Sequence, residues 1–505
     1  MTDTPTHARM GAPAPADAPA VATPTRYERP PHAGAPCGEV PATPPPPPPP
    51  PSPTAPPPPS PPSPQGPAGP GPAAPSLWLH RPFVVLWLAR IVSVAGGMAS
   101  MMAIQWWILE SSGSARWMAG ANAVVTLVMA LVGLPAGVLV DRWHRGRLFL
   151  ALEIGRGLVM AALAVLLFTG RATIPTVLAL LALDAAGLAL FMPLSSAIWP
   201  ELVPASQLAA ANGLVATGES IGRIAGPAMG GVLASRHPGW AALVDAVSYV
   251  VSAVAIVAAG ALAWKAPSSK ASPAGVTGDG PAGGRTFAAQ FREGWTAVFG
   301  RPDLGPFFIL VSVLNLAFSA SFVLIPVVVQ RVLRGGPEAL GWLEASFAVG
   351  AVTGGVLAGA GRVPRRSRAW VQLAVLQAVL GTVIGSSRWL GVSLVAGWIF
   401  GVTNALVNVA ATTMLQEAVA PELRGRVFGL LYTVAMILQP VGQMAGGILA
   451  DRVPVPAVFA ATTALTVLAL AAAWWRAPAM RTLLDRTGAG GRGTVPQATG
   501  EVSLG

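Results

Sequence analysis

The sequence predicts an all-α membrane protein, with twelve transmembrane helices in two six-helix repeats behind a disordered proline-rich N-terminal tail. Three observations carry this reading. Charged residues make up 10% of the 505-residue chain, hydrophobic residues 53%, and the mean hydropathy is +0.59, whereas soluble domains carry about 25% charge. A core absorbs extra apolar residues but cannot replace a charged surface; a lipid-facing surface can do without one. Apolar stretches of helix-crossing length then follow one another from Leu77 to Ala477, and positions in the two halves match at a fixed offset.

Residues 1–76 hold 29 of the 51 prolines, with an unbroken run from Pro44 to Pro51 and almost no large apolar side chains. Their charges give a net of −1. Such a segment is disordered or polyproline II, and the run forms a rod of about 25 Å, able to dock on a groove of a partner that binds proline-rich motifs. The single cysteine, Cys37, lies here, so no intramolecular disulfide forms. The tail has no apolar core of a signal peptide and is expected to stay in the cytoplasm.

The spans are read at 83–109, 116–140, 148–168, 174–198, 207–234 and 240–263 in an N-terminal bundle (77–264). They continue at 305–330, 339–360, 369–386, 390–415, 427–450 and 455–475 in a C-terminal bundle (304–477). Residues 265–303 form a cytoplasmic linker rich in Gly, Pro, Ser and Ala at first. Phe287, Phe291, Trp295 and Phe299 then recur every fourth residue, as in an amphipathic surface helix. Residues 478–505 form a second disordered tail.

The net charge of +11 is explained by its placement. With the N-terminus inside, even-numbered connections carry 14 Lys and Arg and odd-numbered ones 7, which places both termini in the cytoplasm and the chain in the plasma membrane. Anionic lipid, not nucleic acid, is the partner of this basic surplus. An offset of 216 superimposes Glu201 on Glu417, Gly213 on Gly429, Gly226 on Gly442, Gly230 on Gly446, Gly231 on Gly447 and Arg236 on Arg452. This is the mark of duplicated halves with a substrate path between them.

Two motifs carry a mechanism. Between spans 2 and 3, Gly137 permits close helix approach, Asp141 can meet a helix N-terminus or an arginine, and Arg142, Arg145, Gly146 and Arg147 hold a basic turn at the lipid surface. In span 5, Gly222, Gly226, Gly230 and Gly231 make a packing groove and Pro227 frees a carbonyl and bends the helix. The first resembles the signature loop of the major facilitator superfamily. The second resembles the Gly-Pro antiporter motif of its drug-efflux members.

Phe191, Pro193, Pro200-Glu201, Asn212-Gly213, Gln416-Glu417 and Arg424-Gly425-Arg426 make the chain similar to the macrolide-efflux and enterobactin-exporter branch. That resemblance implies a major facilitator fold acting as a monomer. It puts Glu201, Glu417, Arg424 and Arg426 at a cytoplasmic gate, and spans 1, 4, 7 and 10 around the cavity. Arg90, Gln105, Trp106, Asn315, Asn404 and Asn408 are then the cavity candidates. Span 4 departs from the pattern, lacking the arginine that many proton-coupled exporters carry there.

Ionisable residues at membrane depth are functional candidates. Asp184 is the foremost, since ten residues from Ile174 at 1.5 Å each place it about 15 Å deep; it could carry the proton, meet a cationic substrate group or serve as a structural carboxylate. Glu219 and Arg223 are also proton-coupling candidates but, one turn apart, can neutralise each other. Glu153 and Arg156 invite the same reading. Arg90 has no local partner, and Asp245 and Glu344 read as interfacial.

No nucleophile and base pairing, phosphate loop or metal-ligand spacing is present, so neither catalysis nor a metal or other cofactor is expected. The leading function is secondary active, proton-coupled efflux of a small amphipathic compound such as an antibiotic, siderophore or other metabolite, by alternating access. Import or flipping of a lipid-like solute is the alternative, and a non-transporting scaffold or sensor a further one.

Overall fold

The computed structural model describes residues 77–141, 143–260, 292, 295–363 and 367–480. The 1–76 tail, linker residues 265–291 including Phe287 and Phe291, Arg142, and the C-terminal tail past residue 480 lie outside the described residues.

Twelve long helices are described: α1 (Arg81–Ser112), α2 (Ala115–Asp141), α3 (Arg145–Phe168), α4 (Ile174–Leu202), α5 (Leu208–Arg236), α6 (Pro238–Ala258), α7 (Leu304–Phe322), α8 (Pro337–Gly359), α9 (Ser367–Ser386), α10 (Leu390–Ala418), α11 (Pro421–Ala450) and α12 (Val455–Arg476). There is no strand among the described residues. Eleven are long and apolar enough to cross a membrane by length and composition. The exception, α5, carries six glycines together with Glu219, Arg223 and Arg236, which lower its hydropathy.

Local chemistry sets the boundaries. Gly113 adopts a left-handed conformation (φ 64°) and ends α1. Thr173 and Thr176 form a reciprocal capping box that starts α4. The seventh span, read at 305–330, is one crossing over Leu304–Val332, but its regular helix is interrupted inside it. Pro326 has no N–H to offer the Phe322 carbonyl, so α7 stops there, and the chain resumes as a short turn (Ile325–Val327) and a wider coil (Val328–Val332).

The two halves repeat one packing scheme. In the first, α1 packs on α5 and α6, α3 on α4 and α6, and α2 on α4; in the second, α7 packs on α11 and α12, α9 on α10 and α12, and α8 on α10. The matched glycines explain the repeat. A Cβ on Gly226 or Gly230 would stand 2.6 Å from the carbonyl oxygen of Ala95 or Ala99 on α1, and one on Gly442 would stand 2.6 Å from that of Leu316 on α7. Only glycine lets these backbones meet. Outward faces stay apolar, as in the Val250, Val254 and Val257 stripe of α6, which lipid covers.

Candidate functional site

The helices define two ends, a terminal end where α1 begins and α12 finishes, and a far end at the α1–α2 connection. At the far end the halves share one core, in which Met118 and Leu163 lie with Leu324, Leu340 and Val458. At the terminal end each half has its own core, around Phe83, Phe149 and Leu194 in one and Phe307, Trp370 and Met414 in the other. The contacts between halves follow the same division. Gly231 of α5 lies against Pro337 and Gly341 of α8, and Gly447 of α11 against Ala115 and Ala119 of α2. On the same four helices nearer the terminal end, no described atom lies within 4 Å of where a Cβ would stand on Gly133, Gly213, Gly355, Gly359 or Gly429. The halves enclose a cleft shut at the far end and splayed at the terminal end.

Polar contacts reinforce the shut end. Asp451 accepts hydrogen bonds from the Ser114 hydroxyl, from the amides of Ala115 (2.8 Å) and Arg116 (3.1 Å) at the start of α2, and from Arg331 (3.3 Å). Arg331 also donates to the carbonyls of Gly113 (2.8 Å) and Ala450 (2.9 Å). Burial pushes the Asp451 carboxyl up, but these hydrogen bonds outweigh it and hold it below the usual carboxylate range. At the corresponding place in the repeat, the Ser235 hydroxyl donates to Glu338 (2.9 Å).

Charges inside the first half form two groups. Arg90 of α1 donates from Nε (3.0 Å) and Nη2 (2.7 Å) to one oxygen of Glu219 on α5, whose other oxygen takes Arg223 at 3.3 Å. The local Glu219–Arg223 pair is thus a three-residue bridge, and Arg90, without a partner in its own stretch of sequence, has one 129 positions away. Its guanidinium also lies 5.1 Å from the Phe191 ring centroid. In the second group, Arg156 of α3 grips Asp184 of α4 through both carboxylate oxygens (2.9 and 3.1 Å) and sits 4.6 Å from the Tyr249 ring centroid. Arg156 therefore pairs with Asp184 rather than Glu153, and Asp184 is not a free carboxylate.

Two further acids lie beside this pair. Asp245, read as interfacial, is only 2% exposed on α6 and accepts a hydrogen bond from the Ser248 hydroxyl (3.4 Å). Glu153 is 1% exposed, and neither of its oxygens has a well-aligned hydrogen-bond partner among the described residues, with Ser252 beside it. Glu153 lines a small cavity with Arg90, Ser93, Ser195 and Ser252 that leaves about 20 Å³ for the centre of a water molecule, room for one.

The sequence profile of the transmembrane secretion effector family, of the major facilitator type, matches residues 72–486. The chain belongs to that family. It is 26% identical over 383 residues to macrolide efflux protein A of Streptococcus pyogenes, covering 74% of this chain and 90% of that one. It is 27% identical over 416 residues to the multidrug efflux pump Tap of Mycobacterium tuberculosis, covering 80% and 94%. In fold it is similar to a bacterial homologue of the iron transporter ferroportin solved in an inward-facing state (TM-score 0.57, 16% identity, 82% of this chain and 100% of that one). It is likewise similar to a bacterial homologue of the human lysosomal transporter Spinster (TM-score 0.54, 17% identity, 81% and 97%). The chain is a multi-pass membrane transporter.

In this transporter the loop-motif residue Arg145 is buried and ion-paired with Glu201 at the end of α4, Gly146 is buried beside it and Arg147 is exposed. Gly137 and Asp141 fall in the last turns of α2. Arg424 donates to the Val419 carbonyl (3.1 Å), closing the α10–α11 turn, while Glu417 is exposed near the end of α10. Gly222 packs against Val94 and Pro227 against Gly341. Gln105 donates to Asn122 of α2 (3.1 Å). Trp106 is 7% exposed within the shared far-end core. Asn315 and Asn408 each donate to a carbonyl one turn earlier (2.9 Å), and Phe400, Asn404 and Asn408 lie at four-residue spacing along α10. Asp451 and Arg331 are not singled out by the sequence; the available signal is a carboxylate placed directly after span 11, in a connection whose other charged residue is Arg452.

Proposed function

We propose that this transporter exports a small amphipathic compound across the plasma membrane in exchange for protons, as a monomer with both termini in the cytoplasm. The observation that carries the reading is the division of contacts between the halves, shut at the far end by small-residue crossings and open at the terminal end. Two rigid bundles joined at such crossings can rock about them, exposing a central site to each side in turn. The basic bias of the connections at the terminal end supports placing that open end in the cytoplasm. The relatives named for macrolide and multidrug efflux support export as the direction.

For the proton, Asp184 is occupied by Arg156 and Glu219 by two arginines; of the two other buried acids, Asp245 and Glu153, it is Glu153 that lines a water-sized cavity together with Arg90. A carboxyl in that position can load and release a proton while Arg90 shifts between Glu219 and Glu153. The test is transport into inside-out vesicles containing the full chain. An imposed ΔpH, acid inside, should drive uptake of a macrolide or lipophilic dye, and dissipating ΔpH should stop it. Uptake driven only by the opposite gradient would establish import.

A further inference from the structure

The wall of the cleft contributed by the second half holds a carboxylate that no described residue partners. Glu344 lies on α8, seven residues inside its N-terminus at Pro337, about 10 Å along the helix. It is half-buried, and no hydrogen bond or ion pair joins it to a described residue. Its direction follows from the helix period of 100° per residue. Gly341 marks the face of α8 on α5, through its contact with Pro227, and Gly350 and Gly354 mark the face on α10, through Trp398 and Val402. Between these contacts on one side stand the exposed Trp342, Val349 and Val356, the lipid side. Glu344 falls in the opposite arc, some 160° round from Trp342, and so looks into the cleft just below the shut end.

Beside it is a cluster of four phenylalanines. Phe347 lies one turn along α8 from Glu344. Its ring centroid is 5.7 Å from that of Phe322 and 5.5 Å from that of Phe400, and Phe318 stacks on Phe322 at 5.2 Å. Phe318, Phe322 and Asn315 share the face of α7 turned away from the Leu316 and Ala320 contacts with α11. Phe322 is 43% exposed. Across the cleft, Arg223 is already held by Glu219.

An anion left half-buried without a partner is costly, and ring faces with carboxylate beside them are the arrangement that receives a lipophilic cation. We propose that Glu344 and the Phe318, Phe322, Phe347 and Phe400 rings, with Asn315 below them, form the substrate site and that it takes amphiphiles carrying a permanent or protonated positive charge. The carboxylate neutralises the charge, the rings receive the apolar body, and Asn315 offers an amide to a polar substituent. This rests on the efflux reading for the site's use, but not for its ability to bind.

The experiment uses the full-length protein in lipid nanodiscs and two probes of one shape and opposite charge, tetraphenylphosphonium and tetraphenylborate. Wild type should bind the phosphonium and reject the borate. Glu344→Gln should weaken phosphonium binding by about tenfold or more, and Phe322→Leu by about threefold, as expected for loss of a charge partner and of one ring face. Equal binding of both probes, or phosphonium binding unchanged in Glu344→Gln, overturns the site. Should Glu344→Gln fail to fold, Glu344→Asp carries the decision, since withdrawing the carboxylate by one methylene should weaken binding and unchanged affinity would overturn the site. The two readings separate cleanly. If ΔpH drives export of an uncharged amphiphile while the phosphonium does not bind, the cation site falls and efflux stands. If the phosphonium binds through Glu344 while no probe is moved by ΔpH, the site stands and efflux falls.

Discussion

Gly231 of α5 and Gly447 of α11, 216 residues apart in sequence, do the same thing in the two halves: each presses against the opening turns of a helix from the opposite half. The crossing is therefore built twice from one repeated surface, which gives the bundles a symmetric pair of pivots. A side chain at either pivot must push the halves apart. Gly231→Leu and Gly447→Leu should each destabilise the shut end by about 1–3 kcal/mol, the usual cost of overpacking. Transport should fall while helix content by circular dichroism is unchanged.

Asp451 ties the start of α2 to α11 and, through Arg331, to the end of span 7. Its folded-state pKa is lowered. Its contribution is thus fully present above the unfolded carboxyl value of about 3.9 and disappears as pH falls through the folded value. Asp451→Asn should lower the melting temperature by the same amount throughout the neutral range. The difference from wild type should shrink in strongly acid buffer, and a difference that grew with acidity would contradict the assignment.

Breaking the Arg156–Asp184 pair from one side leaves a buried charge alone, at a cost of about 3–5 kcal/mol. Asp184→Asn and Arg156→Met should therefore each reduce thermal stability sharply. The double variant should recover much of the loss in a double-mutant cycle. If the single and double losses simply add, the pair does not hold α3 to α4.

Glu153→Gln fixes the side chain in the shape of its protonated form. Counterflow of substrate with no pH gradient should survive, while acceleration by ΔpH should fall about a hundredfold or more, the range general for loss of a proton-transfer group. Comparison of the two rates in the same vesicles checks this directly.

The helices and the repeat were legible because they rest on local signals: apolar stretches of crossing length, and glycines recurring at fixed spacing in spans 5 and 11. The pairing of charges was not. The i,i+4 rule exposes Glu219 with Arg223, but Arg90 meets Glu219 across 129 positions and Arg156 meets Asp184 across 28, and nothing local records which helices become neighbours. Asp245 reads as interfacial when depth is counted from the span end, whereas its burial depends on which arc of the helix it occupies. The interruption of the helix inside span 7 is not legible either, because the apolar run does not register what Pro326 removes.

Rocking of the two halves about the Gly231 and Gly447 crossings is most directly tested by distances at both ends of the cleft. With Cys37 replaced by serine, spin labels at Arg116 and Arg452 report the far end, and labels at Leu131 of α2 and Ile437 of α11, both exposed, report the terminal end. Moving between acid and alkaline buffer with tetraphenylphosphonium present should lengthen one distance while shortening the other. Distances that change together, or that both stay fixed under conditions in which the same labelled protein transports, would contradict alternating access by this fold.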